Sequence, residues 1–336
     1  MRVLNWGILG TGSIADRFAR GLASTDEAAR YAVGSRDQNR AREFAMKFGF
    51  ARAHGGYQAV LGDSGVDAVY IALPNSMHRE WAVRAAEAGK HVLLEKPATI
   101  NAAELEEVLA AVREHDVFFA EAFMYRFHPR IARLREILDS GRIGEVRVIE
   151  ASFEVDMGLA LENIRMKNPL GGGSLMDLGA YCVSFCRMVA GREPELARGV
   201  AHIDPELRVD LHATGVLRFP GGAVASFACG NQCGEVHTEA HIHGSKGRIL
   251  VTDPWGPVED GAPIVVTVGE EVQTLDIKLG SDLYANEALE VARHLDARRT
   301  PLMNWEDSLG QARTMDALRA DMGLTFDCEL PGQPPG

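Results

Sequence analysis

The stretch Gly10-Thr11-Gly12-Ser13-Ile14-Ala15 decides the fold of this chain. It follows an apolar segment, LNWGILG, which predicts a first β-strand. Gly10 permits a tight turn, Gly12 lets the backbone approach a pyrophosphate, and the small Ala15 allows a helix to pack closely on the strand. The helix start also presents unpaired N–H groups and the positive end of its dipole. This context predicts a dinucleotide phosphate site, with an ordinary glycine-rich turn as the alternative. The predicted cofactor contacts in the turn are Gly10, Thr11, Gly12, Ser13 and Ile14.

Residues 1–122 alternate short apolar segments with helical ones. LNWGILG is followed by SIADRFARGLAS, YAVGS by QNRAREFAMKFG, AVYIAL by HREWAVRAAEAG, and HVLLE by NAAELEEVLAAVREH, before VFFAEA ends the series. This alternation predicts a doubly wound parallel sheet, in which helices cover both faces of strands that are apolar throughout. We therefore expect residues 1–122 to form a dinucleotide-binding Rossmann domain of the α/β class.

The pattern changes after residue 122. PRIARLREILDSGRIG predicts a helix, and LGGGSLMDLGAYCVSFCRMVAG predicts a helix that starts at a glycine run. From Glu195 to Thr274, strand-like segments such as HATGVLRF, AVASFACG, EAHIHG, RILVT and PIVVTV are separated by turn signals, which predicts an antiparallel sheet. Two helical segments, YANEALEVARHLDARR and WEDSLGQARTMDALRAD, follow. Residues 123–336 are thus expected to form a second domain of the α+β class.

Composition excludes several classes of partner. The chain of 336 residues carries 35 Lys and Arg against 47 Asp and Glu, a formal charge of −12. Such a surface repels nucleic acid and anionic membranes, so neither is an expected partner. No apolar run approaches the roughly 20 residues of a membrane span, and no separate signal peptide precedes the first strand. An odd number of cysteines, five, argues against a disulfide framework and predicts a reducing cytoplasm.

The end of the second strand bears on cofactor choice. NAD enzymes usually place Asp or Glu there to bind the ribose hydroxyls, but this chain has the small, neutral Ser35 followed by Arg36. Arg40 lies one helical turn further on and reaches the same side. A 2′-phosphate suits this pair of cations, so we predict NADP. Asp37 could compete for the ribose. The alternative interpretation of Arg36 and Arg40 is that they lie in solvent at the start of a helix.

A charged pair, Glu95-Lys96, directly follows the strand HVLLE and precedes Pro97. Residues at this point lie at the carboxyl edge of the sheet, where doubly wound proteins bind ligands. Pro97 keeps Lys96 out of the helical conformation. A lone lysine there is commonly a surface residue, but its combination with the phosphate turn favours a site.

Five motifs in this order resemble the Gfo/Idh/MocA oxidoreductase family: GILGTGSIA, LPNSMH, EKP, EAFMYRFHP and GGGSLMDLGAY. The resemblance covers essentially the whole chain and is strongest to the branch with dimeric dihydrodiol dehydrogenases, NADP-dependent D-xylose dehydrogenases and glucose–fructose oxidoreductases. The inositol dehydrogenase branch typically has His where this chain has Tyr181. The resemblance implies a Rossmann domain followed by a substrate-binding and oligomerisation domain with a large, mostly antiparallel sheet.

The resemblance also implies catalytic roles. Lys96 matches the family's catalytic lysine, Tyr181 matches the tyrosine that gives or takes the substrate proton, and Asp177 lies four residues earlier on the same helix face. A free phenol has a pKa of about 10, which a nearby ammonium group lowers. The lysine could also bond the substrate oxygen on which charge develops. A packing role in the core is the alternative for the tyrosine.

The loop Leu73-Pro74-Asn75, with His78 after it, is implied by the resemblance to flank the nicotinamide half of the cofactor. Glu95 is assigned to the cofactor site with its neighbour Lys96. The alternative interpretation of His78 is a residue that lies next to the cap of the following helix and does not contact the cofactor.

Three further residues are assigned to the substrate. Arg126 in YRFHP could line the cleft, although packing at the domain junction is an equal alternative for it and for His128. The resemblance matches Phe153 and Trp255 to positions that line the substrate pocket. An aromatic platform suits both a sugar ring and a cyclic diol, and core packing is the alternative for each.

Cysteine and histidine side chains cluster between residues 229 and 243. The Cys-x3-Cys spacing is poor for zinc, and two alternating histidines on one strand face do not complete a tetrahedral shell. We therefore predict no metal site, and we interpret Cys182 and Cys186 as small buried hydrophobes. The cluster comprises Cys229, Cys233, His237, His241 and His243.

The main functional hypothesis is an NADP-dependent oxidoreductase acting on a sugar, such as the aldoses xylose and glucose, or on a cyclic diol. The alternatives are a non-catalytic NAD(P)-binding sensor or co-regulator and an inositol-type polyol dehydrogenase. A sensor does not need Lys96 and Tyr181. A zinc alcohol dehydrogenase would need convincing metal ligands. Because a bare face of the late sheet commonly becomes a subunit interface, we expect a homodimer or a dimer of dimers.

Overall fold

The computed structural model describes residues 2–158, 160–256 and 263–330. The chain divides into two compact units, which we call unit 1 (Met1–Phe127 and Gly280–Leu309) and unit 2 (His128–Leu279 and Gly310–Gly336). Among the described residues, no helix is long and apolar enough to cross a lipid bilayer.

Unit 1 contains the predicted parallel sheet of six strands. Their order is β3-β2-β1-β4-β5-β6, and every neighbouring pair is parallel. The order reverses between β1 and β4, which makes that point the topological switch of the sheet. The strands are β1 (Leu4–Leu9), β2 (Ala28–Gly34), β3 (Arg52–His54), β4 (Ala68–Ile71), β5 (His91–Glu95) and β6 (Phe119–Ala122). The helices between them are α1 (Ser13–Ala23), α2 (Gln38–Phe48), α3 (Tyr57–Leu61), α4 (His78–Glu87) and α5 (Ala102–Glu114).

Unit 2 contains an eight-stranded sheet in the order β14-β13-β12-β11-β7-β10-β9-β8. All of its neighbouring pairs are antiparallel except β7 with β10, so the expected large, mostly antiparallel sheet is confirmed. The strands are β7 (Val146–Asp156), β8 (Leu196–Ile203), β9 (Asp210–Arg218), β10 (Val224–Gly230), β11 (Gln232–Gly244), β12 (Arg248–Thr252), β13 (Ile264–Val268) and β14 (Glu271–Leu275). Two helices, α6 (Pro129–Asp139) and α7 (Ala180–Ala190), belong to this unit.

The chain returns to unit 1 near its end. Helix α8 (Leu283–Arg293) packs on α1 so closely that a Cβ at Gly21 would lie 2.7 Å from Asp282 Oδ1 and from Tyr284 Cβ. The final helix, α9 (Trp305–Met322), begins in unit 1 and ends in unit 2. The expected boundary lies after residue 122, whereas unit 1 extends to Phe127 and also includes Gly280–Leu309. An amphipathic helix such as α8 does not reveal in its sequence which sheet it covers.

Two short elements of unit 1 have no counterpart in the sequence prediction. β3 has only three residues, and α3 has five, so neither produces a measurable hydrophobic period. Their omission matters because α3 begins with Tyr57, which lies beside residues of the candidate cofactor site.

Candidate active site

The phosphate turn adopts the conformation that its glycines predict. Gly10 has φ +109°, a value that favours glycine, and a Cβ there would collide with the carbonyl oxygen of Ala72. The Gly10 N–H donates to Gly34 O at 2.9 Å, which joins the turn to the end of β2. The residue that follows β4 is joined to the end of β1 by a similar backbone bond, in which Ala72 N donates to Leu9 O at 3.0 Å. The turn thus lies at the carboxyl edge, beside the switch point between β1 and β4.

The start of α1 is open to a ligand. Gly12 occupies the N-cap position with no side chain to cap the helix, and a Cβ placed on it would meet no atom within 4 Å. Thr11 and Ile14 are half-buried, whereas Gly12 and Ser13 are exposed. The fully buried Ala15 lets the helix approach the sheet. Unpaired backbone N–H groups at an accessible helix start fit a pyrophosphate, so these residues suit the predicted dinucleotide.

Asp37 has a defined structural task at the end of β2. Its Oδ1 accepts hydrogen bonds from the backbone N–H groups of Asn39 at 2.8 Å and Arg40 at 3.3 Å, so it caps α2. Ser35 is buried, and its hydroxyl accepts from Asp37 N at 3.3 Å. An N-cap aspartate stabilises its helix. The carboxylate that could have competed for the ribose is therefore engaged with the backbone.

Arg36 and Arg40 are both exposed, and both act electrostatically on the same phenol. Burial raises the pKa of Tyr57, while the guanidinium groups of Arg36 and Arg40 oppose that shift. The Tyr57 ring is held edge-on against Trp81, with ring centroids 5.0 Å apart. Tyr57 is a candidate cofactor residue that sequence reasoning missed, because no motif marks it and it lies 21 positions after Arg36 in the chain.

His78 joins the two loops that follow β4 and β5. Its ring is fully buried, with Nδ1 2.8 Å from Pro97 O and Nε2 2.8 Å from Leu73 O. Burial lowers the pKa of this imidazole. Both ring nitrogens therefore face backbone carbonyls, and the side chain holds the loops of Leu73-Pro74-Asn75 and Lys96-Pro97 together. A direct contact of His78 with the cofactor stays a prediction.

Lys96 is half-buried and follows β5 directly, as expected. Its backbone N–H donates to Glu95 Oε2 at 3.2 Å, and the Lys96–Pro97 peptide is cis. The Glu95 side chain is buried, and its Oε1 accepts a hydrogen bond from the hydroxyl of buried Tyr70. The Glu95 carboxylate is thus bonded to protein groups, and its contact with the cofactor stays a prediction.

Arg126 is almost completely buried, with 2% of its surface exposed. It lies in a short 3₁₀ turn (Met124–Phe127) of unit 1, 3.3 Å from Asp307 Oδ2, and its guanidinium lies 5.6 Å from the ring centre of Tyr125. These contacts favour the packing alternative for Arg126. Its contact with substrate stays a prediction.

The helix that carries Asp177 and Tyr181 begins with a π-helical turn, Leu175–Gly179, before α7. Asp210 holds the start of this turn. Its Oδ2 accepts from Leu175 N at 2.6 Å and from Ser174 Oγ at 3.1 Å. Burial raises the pKa of Asp210 to about 6, against the effect of these hydrogen bonds. π-Helical turns occur frequently at functional sites.

Tyr181 lies in an aromatic cluster of unit 2. Its ring centre is 5.4 Å from that of Phe153 and 6.0 Å from that of Trp255, and Phe153 and Trp255 stack at 6.0 Å. Phe153 is half-buried, whereas Trp255 is 1% exposed and its Nε1 donates to Ser152 O at 2.9 Å. The structure therefore brings the three predicted residues together, with Trp255 as buried support.

Asp177 has an ion-pair partner that sequence reasoning missed. Arg165 Nε donates to Asp177 Oδ2, and Arg165 Nη2 donates to Oδ1 at 3.2 Å. Arg165 lies in a segment with no periodic signal, so only the fold reveals the pair.

The cysteine and histidine cluster does not converge. Cys229 is buried, while His241 lies 3.2 Å from Glu239 and His243 lies 3.2 Å from Glu150. Within the described part of the chain, no three His, Cys, Asp or Glu side chains are placed to hold a metal ion. Cys182 and Cys186 are fully buried, as predicted, and burial raises the pKa of both thiols.

An open helix start at the switch point of a parallel sheet is the arrangement of a dinucleotide-binding domain. The sequence profile of the oxidoreductase family with an NAD-binding Rossmann fold matches residues 4–123, and that of the GFO/IDH/MocA C-terminal domain matches residues 131–250. The chain belongs to the GFO/IDH/MocA family and is an oxidoreductase.

Relatives support the branch inferred from the motifs. Trans-1,2-dihydrobenzene-1,2-diol dehydrogenase of Mus musculus is 36% identical, over 96% of this chain and 98% of the relative. D-xylose 1-dehydrogenase (NADP(+)) 2 of Haloferax volcanii is 33% identical, over 93% and 95%. The solved structure of KijD10, a 3-ketoreductase from Actinomadura kijaniata in complex with NADP and TDP-benzene, has a TM-score of 0.88 at 29% identity, over 96% of this chain and 98% of that one.

Proposed function

We propose that the protein is an NADP-dependent oxidoreductase that transfers a hydride between nicotinamide and a carbinol or anomeric carbon of a sugar or cyclic diol. The observation that carries this proposal is the aromatic cluster of Phe153, Tyr181 and Trp255, with Asp177 one helical turn before the tyrosine. Aromatic faces pack on the apolar side of a sugar or cyclic diol ring, and a carboxylate accepts hydrogen bonds from the hydroxyl groups of that ring. The relatives from mouse and Haloferax, a diol dehydrogenase and a xylose dehydrogenase, support such a substrate.

The cofactor would be held by the phosphate turn at Gly10–Ile14 and by the arginines that follow β2. When bound, it supplies or accepts the hydride. In the proposed reaction, Tyr181 takes the hydroxyl proton of the substrate during oxidation and returns it during reduction. Lys96 stabilises the phenolate and bonds the substrate oxygen on which charge develops. Asp177 orients the substrate through its hydroxyl groups.

The experiment that tests this function is a cofactor-absorbance assay at neutral and alkaline pH. The purified protein is incubated with NADP and a panel of aldoses, inositols and cyclic diols, and formation of NADPH is followed. We expect turnover of at least one aldose or cyclic diol. Tight NADP binding without turnover of any compound, in either direction, would instead favour a non-catalytic sensor, and preferential turnover of inositols would favour the polyol dehydrogenase.

A change of charge at Arg36 is expected to change cofactor preference. In Arg36→Asp, attraction to the 2′-phosphate is replaced by repulsion, so NADP should bind more weakly while NAD is little affected. The wild-type protein should bind NADP more tightly than NAD, as supported by the NADP(+) specificity of the Haloferax relative and the NADP bound to the Actinomadura protein. Fluorescence titration of both cofactors measures the preference.

The matched control is Arg42→Asp, which makes the same charge change at an exposed position within α2, the helix that follows Arg36. It should leave the ratio of NADP to NAD affinity near the wild-type value. Wild-type affinity for NAD that equals or exceeds affinity for NADP would contradict the assignment.

We also propose that the exposed face of the unit 2 sheet forms a homodimer interface. Four valines on this face of strands β7–β10 are between 36% and 68% exposed. They alternate with buried residues of the same strands, so this side of the sheet is left uncovered at these positions by the part of the chain that the structure describes. A self-complementary face of this kind suits a two-fold dimer. The four residues are Val148, Val200, Val216 and Val224.

Light scattering at micromolar concentration should therefore give at least twice the chain mass of 36.5 kDa. Val216→Glu places a charge in the face and should shift the protein toward the monomer. Val3→Glu makes the same change at an exposed valine of unit 1 and should leave the mass unchanged. A wild-type protein that is monomeric would show that the sheet face is not an interface.

A further inference from the structure

The strongest unassigned feature of the molecule is the pairing of Arg165 with Asp177. Two guanidinium nitrogens, Nε and Nη2, each donate to a different oxygen of the carboxylate, which is the bidentate arrangement. Both residues belong to unit 2, and 33% of the arginine side chain and 13% of the aspartate side chain are exposed. The pair thus lies at the surface of the unit, one helical turn from Tyr181.

The local backbone is built around Arg165. Asn163 caps a short 3₁₀ turn by accepting from Arg165 N at 3.1 Å. Arg165 O accepts from Gly173 N at 2.8 Å, and a Cβ at Gly172 would lie only 2.5 Å from that same oxygen. The glycine run before the helix is therefore required for close contact with the backbone of Arg165. The same run leads directly into the π-helical turn that carries Asp177.

We infer that Arg165 is a positioning residue for the reaction, an inference that rests on the proposed function. It fixes the orientation of the Asp177 carboxylate through the two hydrogen bonds. In the proposed function the Asp177 carboxylate accepts hydrogen bonds from substrate hydroxyl groups, so Arg165 sets the direction in which those bonds form. The substrate is thereby oriented with its reacting hydroxyl toward Tyr181.

A second ion pair in unit 2 shows how this role differs from simple stabilisation. Arg208 and Asp327 also form a bidentate pair, with Arg208 Nη1 2.8 Å from Asp327 Oδ1 and Nη2 bonded to Oδ2. Neither residue belongs to the candidate site. Exposed pairs of this kind contribute little to stability. If Arg165 and Asp177 formed only another surface ion pair, replacing Arg165 would have the same kinetic effect as replacing Arg208.

The test is steady-state kinetics of Arg165→Met and Arg165→Lys with the substrate on which wild-type protein is most active. Loss of a charged hydrogen-bond partner predicts a decrease in kcat/KM of about 10–100-fold for Arg165→Met, with unchanged NADP affinity. Lysine retains the charge but cannot form the bidentate pair, so Arg165→Lys should recover part of the loss. In an Asp177→Asn background, Arg165→Met should cause little additional loss, because both changes remove the same interaction.

Arg208→Met is the control and should keep wild-type kcat and KM. Thermal unfolding of all variants identifies any that fail to fold. If Arg165→Met does not fold, the kinetics of Arg165→Lys, alone and combined with Asp177→Asn, still decide whether Arg165 positions Asp177. Kinetics of Arg165→Met within about two-fold of wild type, or additive losses in the double variant, would overturn the inference while the function stands. A wild-type protein that binds NADP but turns over no substrate would overturn the proposed function, and this inference with it.

Discussion

Replacement of Tyr181 by phenylalanine is expected to lower turnover by about 10²–10⁴-fold, the usual contribution of a general acid–base group. The variant removes only the hydroxyl. The phenylalanine ring can keep the contacts that Tyr181 makes with Phe153 at 5.4 Å and with Trp255 at 6.0 Å, so the fold should be preserved. Affinity for NADP should be nearly unchanged, because Tyr181 lies outside the phosphate turn. The measurement is kcat in both reaction directions, together with fluorescence titration of NADP.

Tyr31→Phe is a matched deletion of a phenol oxygen. Tyr31 lies on β2, and its ring contacts the guanidinium of Arg52 at 5.1 Å, away from the carboxyl edge. This control should retain wild-type kinetics. If a folded Tyr181→Phe protein is as active as wild type, the tyrosine has only the packing role that its 7% exposure also permits, and the sensor alternative gains support.

The phosphate turn is predictable from sequence because its determinants are local. The positive φ of Gly10, the open N-cap at Gly12 and the buried Ala15 all follow from a tight strand–turn–helix connection that spans a few residues. The same holds for Lys96, whose place at the edge of the sheet follows from the strand before it. In such cases, residue type and spacing contain nearly all the necessary information.

Other parts of the site depend on contacts between distant segments, which periodicity does not encode. Tyr57 reaches Arg36 only because the short helix α3 folds back beside the end of β2. Helix α8 joins unit 1 because Gly21 provides space for it, although the two are more than 250 residues apart in sequence. Arg165 meets Asp177 through short 3₁₀ turns and a glycine run, which have no hydrophobic period in the sequence. One sequence alone gives no signal for these pairings.

The burial of individual charged side chains is the property that the sequence predicts least well. Arg126 and Glu95 are charged, and charged side chains are rarely buried unless they are paired. Both are nevertheless buried, Arg126 beside Asp307 and Glu95 beside Tyr70. Their partners lie 25 or more positions away in the chain, so the sequence leaves a ligand-binding and a packing interpretation of Arg126 equally open and does not reveal the bond between Glu95 and Tyr70.

Replacement of Lys96 by methionine is expected to reduce turnover at least as much as Tyr181→Phe. In the proposed reaction the ammonium group stabilises the phenolate and also bonds the substrate oxygen, whereas loss of a single charge-stabilising donor typically costs about 10²–10³-fold. Methionine has a similar length and leaves the backbone bond from Lys96 N to Glu95 Oε2 intact. The measurement is kcat and kcat/KM across a range of pH, with NADP affinity determined in parallel.

Two further variants separate charge from geometry at this position. Lys96→Arg keeps a positive charge but replaces a compact ammonium by a planar guanidinium, so it should keep only part of the activity. Lys246→Met removes an exposed lysine from the turn between β11 and β12 and should have wild-type kinetics. Because the lysine is proposed to favour the phenolate, its loss should raise the pH at which Tyr181 can act as a base. In the oxidation direction, the alkaline activity of Lys96→Met should therefore exceed its neutral activity by more than in wild type. A Lys96→Met protein with wild-type turnover at neutral pH would remove the lysine from the mechanism, and Tyr181 would then need another source of activation.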